Sequence, residues 1–187
     1  MPTITVASSD SQLAQILALQ RRYSYRSLSA EQQHAEGFVF AEHTLPVLRR
    51  MAAELPQAVA LADEKVVGYC LSMHRSLKAE VPSLAPMFAQ FEQCSFRGKP
   101  LSEYHFMVGG QVCVDREFRG LGLLAGLYRE LGRALPPHYE LCVTEIATRN
   151  EVSVRAHQKM GFEPVATYRD DKEEWVIVAW DLARGHN

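Results

Sequence analysis

The sequence predicts an α/β (α+β) domain in which helices flank a mixed sheet. Two features carry that expectation. Residues 57–62 and 65–73 read as strands joined by the short turn Ala62-Asp63-Glu64-Lys65, which is a hairpin signal. Later in the chain, a strand at 108–114, a helix at 121–135 and a strand at 139–147 follow one another, which is the order of a crossover unit. With 187 residues, 47% of them hydrophobic, one domain over 1–187 can bury a substantial core.

The elements follow in order. Thr3–Ala7 alternates as a short strand. Ser9 or Asp10 caps a helix to about Arg22, with Leu13, Ile16, Leu17 and Gln20 at helical spacing. Residues 23–36 are polar and fit neither period. Thr44 and Pro46 open a helix whose apolar stripe is Val47, Leu48, Met51 and Leu55. Residues 74–105 carry Pro82, Pro86 and Pro100 and a short helix near 86–94. An excursion of that length between strands suits a binding surface or lid. Pro136 and Pro137 end the helix that follows Gly120. Asn150 caps a helix to Met160, and Gly161 sits just past its end. A last strand at 175–180 pairs with 165–169.

Composition narrows the function classes. The net charge is −2 and no Lys/Arg run occurs, which argues against nucleic-acid and membrane surfaces. Cys70, Cys94, Cys113 and Cys142 lack CxxC spacing and any accompanying His pair, so buried reduced thiols are expected and no metal. The first ten residues have neither a basic region nor an apolar stretch, and the expected location is cytoplasmic.

The segment from Val112 to Tyr128 carries the strongest signal. A strand runs through the charged residues Asp115–Arg119 into Gly120-Leu121-Gly122-Leu123-Leu124 and then a helix. The free backbone N–H groups of such a helix start converge on an anion, a pyrophosphate for instance. The same glycines also fit GxGxxA as Gly120, Gly122 and Ala125, the dinucleotide fingerprint. The intervening charged segment and the late position in the chain argue against that reading. A plain helix start with solvated arginines is the third alternative.

Arg119-Gly120-Leu121-Gly122-Leu123-Leu124 resembles motif A, (Q/R)xxGx(G/A), of the GNAT N-acetyltransferases. The segment Asn150–Phe162 resembles their motif B, with Asn150, Ser153, Lys159, Gly161 and Phe162 in place. Two departures stand out: Leu124 fills a small-residue position, and His157 stands where the family usually has Tyr. The resemblance implies a mostly antiparallel central sheet and acetyl-coenzyme A as co-substrate. It places the pyrophosphate on Arg119, Gly120, Leu121, Gly122, Leu123 and Leu124. The pantetheine arm falls against Val112, Val114 and Asn150. It implies direct transfer to a primary amine, on a small molecule or a protein, and leaves room for a homodimer.

Glu145 shares a strand face with Leu141, Val143 and Ala147, where a carboxylate needs a reason. By resemblance Glu145 is the general base and His157 the general acid, its protonated form favoured by the Glu145 carboxylate. The plain alternatives are a strand-end carboxylate paired with Lys or Arg, and a partly exposed helix histidine. A non-catalytic acyl-CoA sensor would keep the glycine turn without needing either residue. The acceptor amine cannot be read from the sequence.

Overall fold

The computed structural model describes residues 1–183. Nine strands and six α-helices run in the order β1 (Thr3–Val6), α1 (Asp10–Tyr23), α2 (Ala30–Glu36), α3 (Leu45–Glu54), β2 (Ala58–Ala62), β3 (Lys65–Met73), α4 (Ala85–Phe91), β4 (Ser95–Phe96), β5 (Lys99–Pro100), β6 (Phe106–Val114), α5 (Leu123–Ala134), β7 (Leu141–Ala147), α6 (Glu151–Lys159), β8 (Glu163–Arg169) and β9 (Glu174–Asp181). Seven strands form one sheet in the order β1-β2-β3-β6-β7-β9-β8, and every pairing is antiparallel except β6 with β7. The expected mixed, mostly antiparallel sheet flanked by helices is what forms.

Local chemistry explains the element ends. The Ser9 side chain accepts from the Gln12 N–H and starts α1. The β2–β3 turn puts Asp63 and Glu64 both at positive φ, 48° and 63°, the backbone that matches strand twist. The polar stretch 23–36 conceals α2, which Ser29 and Gln32 open with a reciprocal capping box. That signature was present in the sequence, but α2 buries no residue and so shows no apolar period.

The sheet is covered on both faces. On one, Leu127 and Leu131 of α5 pack with Cys142, Phe162, Val178 and Trp180. On the other, Ile16 of α1, Leu48 and Met51 of α3 and Phe91 of α4 pack with Val108, Val143 and Ile177. Successive residues of β7 and β9 alternate between these two cores, as a pleated strand requires.

The feature that makes the site is a parting of the sheet. β6 pairs with β7 only from Phe106 to Val108, against Leu141 to Val143. One further link, from the Thr144 hydroxyl to the Gly109 carbonyl, spans 2.8 Å. Beyond it β6 continues beside β3, and β7 beside β9. A register shift against Leu71 and Ser72 leaves Gly110 as an extra residue on β6, a bulge of the kind that bends a strand. Both glycines there are tightly enclosed. A Cβ on Gly109 would lie 3.2 Å from Cys142 Sγ and Thr144 Cβ, and one on Gly110 3.2 Å from Met51 Cε.

Candidate active site

The cleft between the parted strands holds two adjoining cavities that share Phe38, Val39, Val112, Asn150 and Ser153 on their walls. The first, about 570 Å³, lies against the glycine turn. Gly120 and Gly122 have φ of 79° and 74°, and nothing lies within 4 Å of a Cβ built on either. Their requirement is therefore conformational: the left-handed backbone strongly disfavours a side chain even where space is free. Gly122 is the N-cap of α5 and brings no side-chain cap, so the first N–H groups of that helix lack intrahelical partners. Arg119, Arg155 and Lys159 line the same cavity. Cationic side chains and exposed amides at one helix start make a site for a phosphate group.

Of the residues assigned to the cofactor by sequence, Val112, Val114, Arg119 and Gly120 line this cavity, as do Gly122, Leu123, Leu124 and Asn150. Leu121 does not: its side chain is 48% exposed to solvent, so only its backbone could take part. Arg119 is also a structural clamp. Its Nε donates to the Val114 carbonyl at 3.1 Å and its Nη1 to the Glu36 carbonyl at 2.7 Å. Asp115, buried at the end of β6, accepts from Arg22 at 2.6 Å and from the Tyr23 hydroxyl at 3.0 Å, which fixes the strand end.

The backbone of β6 faces the cleft in a definite way. The Asp115 N–H donates to the Val67 carbonyl, so Cys113 and Asp115 turn their polar groups toward β3. Alternation then turns those of Val112 and Val114 toward the open side. The Val114 carbonyl is met by Arg119, while the Val112 N–H and C=O and the Val114 N–H border the cleft. They form a short strand edge that an extended chain can join.

Asn150 caps α6 as expected, its Oδ1 accepting from the Ser153 N–H, while its Nδ2 donates to the Phe38 carbonyl at 2.8 Å. A segment that the sequence left unassigned, Gly37–Ala41, thus crosses the cleft. Val39 exchanges backbone hydrogen bonds with Tyr23 and Tyr25, and the Gln111 amide holds the Ala41 carbonyl at 2.7 Å. Gly37 is required for two reasons: its φ is 72°, and a Cβ would come within 2.9 Å of Asn150 Oδ1.

The second cavity, about 300 Å³, lies at the other end. Glu145 is on its wall, largely withdrawn from solvent, and accepts from the Tyr168 hydroxyl at 2.5 Å. Burial pushes its carboxyl up to about 7; Tyr168 opposes the shift, the Asp170 carboxylate adds to it and Lys172 opposes it. Glu145 forms no ion pair with Lys or Arg among the described residues, so the plain alternative for it fails.

His157 requires two corrections. It is not partly exposed: it is 2% accessible. Nor does Glu145 favour its cation. Its Nδ1 lies 2.8 Å from the Ser153 carbonyl, which can only accept, so Nδ1 carries the proton and Nε2 accepts from the Tyr128 hydroxyl at 2.9 Å. Burial lowers its pKa, opposed by the Ser153 contact. In this neutral form Nε2 has no proton to give. Both residues line the second cavity, Glu145 from β7 and His157 from α6, but no hydrogen bond joins them among the described residues. Cys113, on the cleft wall, has its thiol pushed up to about 12 by burial and is inert as a nucleophile.

The Acetyltransferase (GNAT) family model matches residues 14–162. The chain belongs to the GNAT acetyltransferase family. The dinucleotide reading of the glycines therefore falls, since this turn stands at the GNAT motif and β6 meets β7 in parallel over only three residues. Among solved structures, an N-acetyltransferase from Staphylococcus aureus Mu50 is 20% identical with a TM-score of 0.59, covering 97% of this chain and 99% of that one. A GNAT superfamily phosphinothricin acetyltransferase from Sinorhizobium meliloti, in complex with acetyl-CoA, is 16% identical with a TM-score of 0.61, covering 96% and 88%. A chain of the NatC complex bound to Gag peptide and CoA is 12% identical with a TM-score of 0.63, covering 96% and 98%. No curated protein matches the sequence. Among the described residues, no group of His, Cys, Asp or Glu is placed to hold a metal ion, and no helix is long and apolar enough to cross a membrane.

Proposed function

We propose that this protein is an acetyl-CoA-dependent N-acetyltransferase that transfers acetyl to a primary amine by direct attack in a ternary complex. The observation that carries this reading is the cleft itself. An anion-binding helix start borders one end, and a buried carboxyl poised near neutrality borders the other.

The fit to acetyl-CoA rests on this chain's own groups. The N–H groups that follow Gly122, with Arg155 and Lys159, would hold the pyrophosphate. The Val112 and Val114 edge would take the pantetheine amides. Bound there, acetyl-CoA supplies a thioester whose C–S bond breaks as the amine nitrogen forms its C–N bond. Glu145, as carboxylate, accepts the proton that the amine nitrogen sheds. A base with a pKa near the working pH suits this step. The cleft walls hold the two reactants together, a large part of any such rate enhancement. The departing thiolate takes its proton from water in the open cleft. His157 then acts as a positioning residue, holding the Tyr128 hydroxyl at the cavity wall.

The test measures thiol release from acetyl-CoA against a panel of amines, with the product identified by mass. An N-acetylated amine is the expected result. Binding of acetyl-CoA without turnover of any amine would replace this reading with an acyl-CoA sensor, and binding of NADPH alone would overturn both.

A further inference from the structure

The acceptor cavity is charged in a selective way. Among the carboxylate, guanidinium and ammonium side chains on its wall, Arg26, Glu42 and Lys172 are exposed. Arg26 is also committed, to Glu42 at 3.3 Å and to the Tyr25 hydroxyl at 2.9 Å. Glu145 is largely withdrawn from water and Asp170 only in part, and neither joins an ion pair among the described residues. Charge matters most where solvent is excluded, so Glu145 and, more weakly, the partly buried Asp170 shape the local field.

Asp170 is built as a fixed anion. Its Oδ1 accepts the backbone N–H groups of Lys172 and Glu173, both at 2.8 Å, in the turn between β8 and β9. Beside it stands an aromatic wall. Tyr25 stacks on Phe40 at 4.3 Å, and Phe40 meets Trp175 edge-on at 4.9 Å. Trp175 is 5% exposed, and its indole N–H interacts with the Asp170 carboxylate, whose ionised form it favours. Aromatic faces and a fixed carboxylate together favour a positively charged group.

We infer that the acceptor is a cationic amine with a second positive charge, which Asp170 and the Tyr25–Phe40–Trp175 wall hold while the reacting nitrogen meets Glu145. The inference rests on the acetyltransferase reading and deepens it. Lys172 is its competitor, since an ammonium on the same turn could instead recruit an anionic substrate; its exposure weakens that claim.

Three primary amines on the same four-carbon chain decide the matter: diaminobutane, butylamine and aminobutanoate, which place a cation, a methyl group and an anion at the far end. The wild-type protein should show kcat/KM for diaminobutane at least about tenfold above butylamine, with aminobutanoate lowest, a factor equivalent to about 1.4 kcal/mol. Asp170→Asn keeps the Oδ1 that organises the turn and removes the charge. It should bring the diaminobutane-to-butylamine ratio close to one, mainly through KM. Equal rates for diaminobutane and butylamine in the wild type, or a preference for aminobutanoate, would overturn the inference while leaving the acetyltransferase reading intact. An unchanged ratio in Asp170→Asn would overturn it too. Absence of turnover with these and every other amine of the panel would instead refute the parent reading.

Discussion

The two ends of the cleft are built by different means. At the proposed phosphate end the groups on offer are backbone N–H donors from a continuous stretch, Gly120 to Ala125, with two glycines at positive φ. At the proposed acceptor end they are side chains brought from Tyr25, Phe40, Glu145, Asp170 and Trp175, on several separate elements. A backbone site depends on conformation and tolerates varied side chains, which is why Leu124 can occupy a position where the family has a small residue. A side-chain site depends on burial and neighbours, and its chemistry changes with each replacement. Substitutions at the first end should alter binding of acetyl-CoA, and those at the second should alter turnover and choice of amine.

The largest expected effect is at the acceptor end. Glu145→Gln should lower turnover at pH 7 by about 100- to 10,000-fold, the range of a lost general base, with acetyl-CoA affinity unchanged. The loss should shrink at high pH, where free amine is abundant. Wild-type activity should fall as pH drops below about 7, where the carboxyl takes up its proton. The stability consequence has the opposite sense. A carboxyl whose pKa is raised on folding contributes stability that is full below its unfolded value and lost as pH rises through about 7. Glu145→Gln should therefore raise the melting temperature at pH 8 more than at pH 5, by roughly 2–4 °C per kcal/mol relieved. Equal thermal shifts at both pH values, with turnover intact, would return Glu145 to a purely structural role.

The next effect belongs to the phosphate end. Gly122→Asp forces a side chain onto a backbone at φ 74° and adds a negative charge at the helix start. Acetyl-CoA binding by calorimetry should weaken about 10- to 100-fold, equivalent to about 1.4–2.8 kcal/mol. Normal affinity would show that this turn is not the phosphate site.

His157 sharpens the boundary between the two ends. His157→Phe strands the buried Tyr128 hydroxyl and should cost about 1–3 kcal/mol of stability in denaturant unfolding. Adding Tyr128→Phe should recover much of that loss. If turnover falls in step with stability and recovers in the double variant, His157 is structural; if turnover stays low, the Tyr128 hydroxyl acts in the reaction. The smallest effect is expected at Asn150, which both ends share. Asn150→Ala removes the cap of α6 and the tie to Phe38, and should lower stability by about 1 kcal/mol in thermal unfolding.

The pattern of what was legible follows from the same contrast. The glycine turn and the caps at Ser9 and Asn150 depend on residues near one another in the chain, so spacing alone placed them. Glu145 was conspicuous because a carboxylate broke an apolar strand face, but its elevated pKa depends on Tyr168, Asp170 and Lys172, which come from a hairpin about 25 positions later. The crossing segment Gly37–Ala41 carries no motif; only its contacts to Asn150 and Gln111 reveal its part. Asp170 and Trp175 likewise had no local signal.

The sequence by itself determined most of the elements and their order, α2 excepted, the glycine turn at the start of α5, and the family. Those are short-range matters of propensity, capping and glycine backbone. Tertiary structure decided the rest. The sheet parts after Val108, where β6 carries a bulge at Gly110 and continues beside β3 while β7 continues beside β9. His157 is neutral because Ser153 and Tyr128 fix its tautomer in a dry core, and Glu145 is poised because packing removes its water. Protonation follows from desolvation and nearby dipoles, and those exist only once distant segments have packed together.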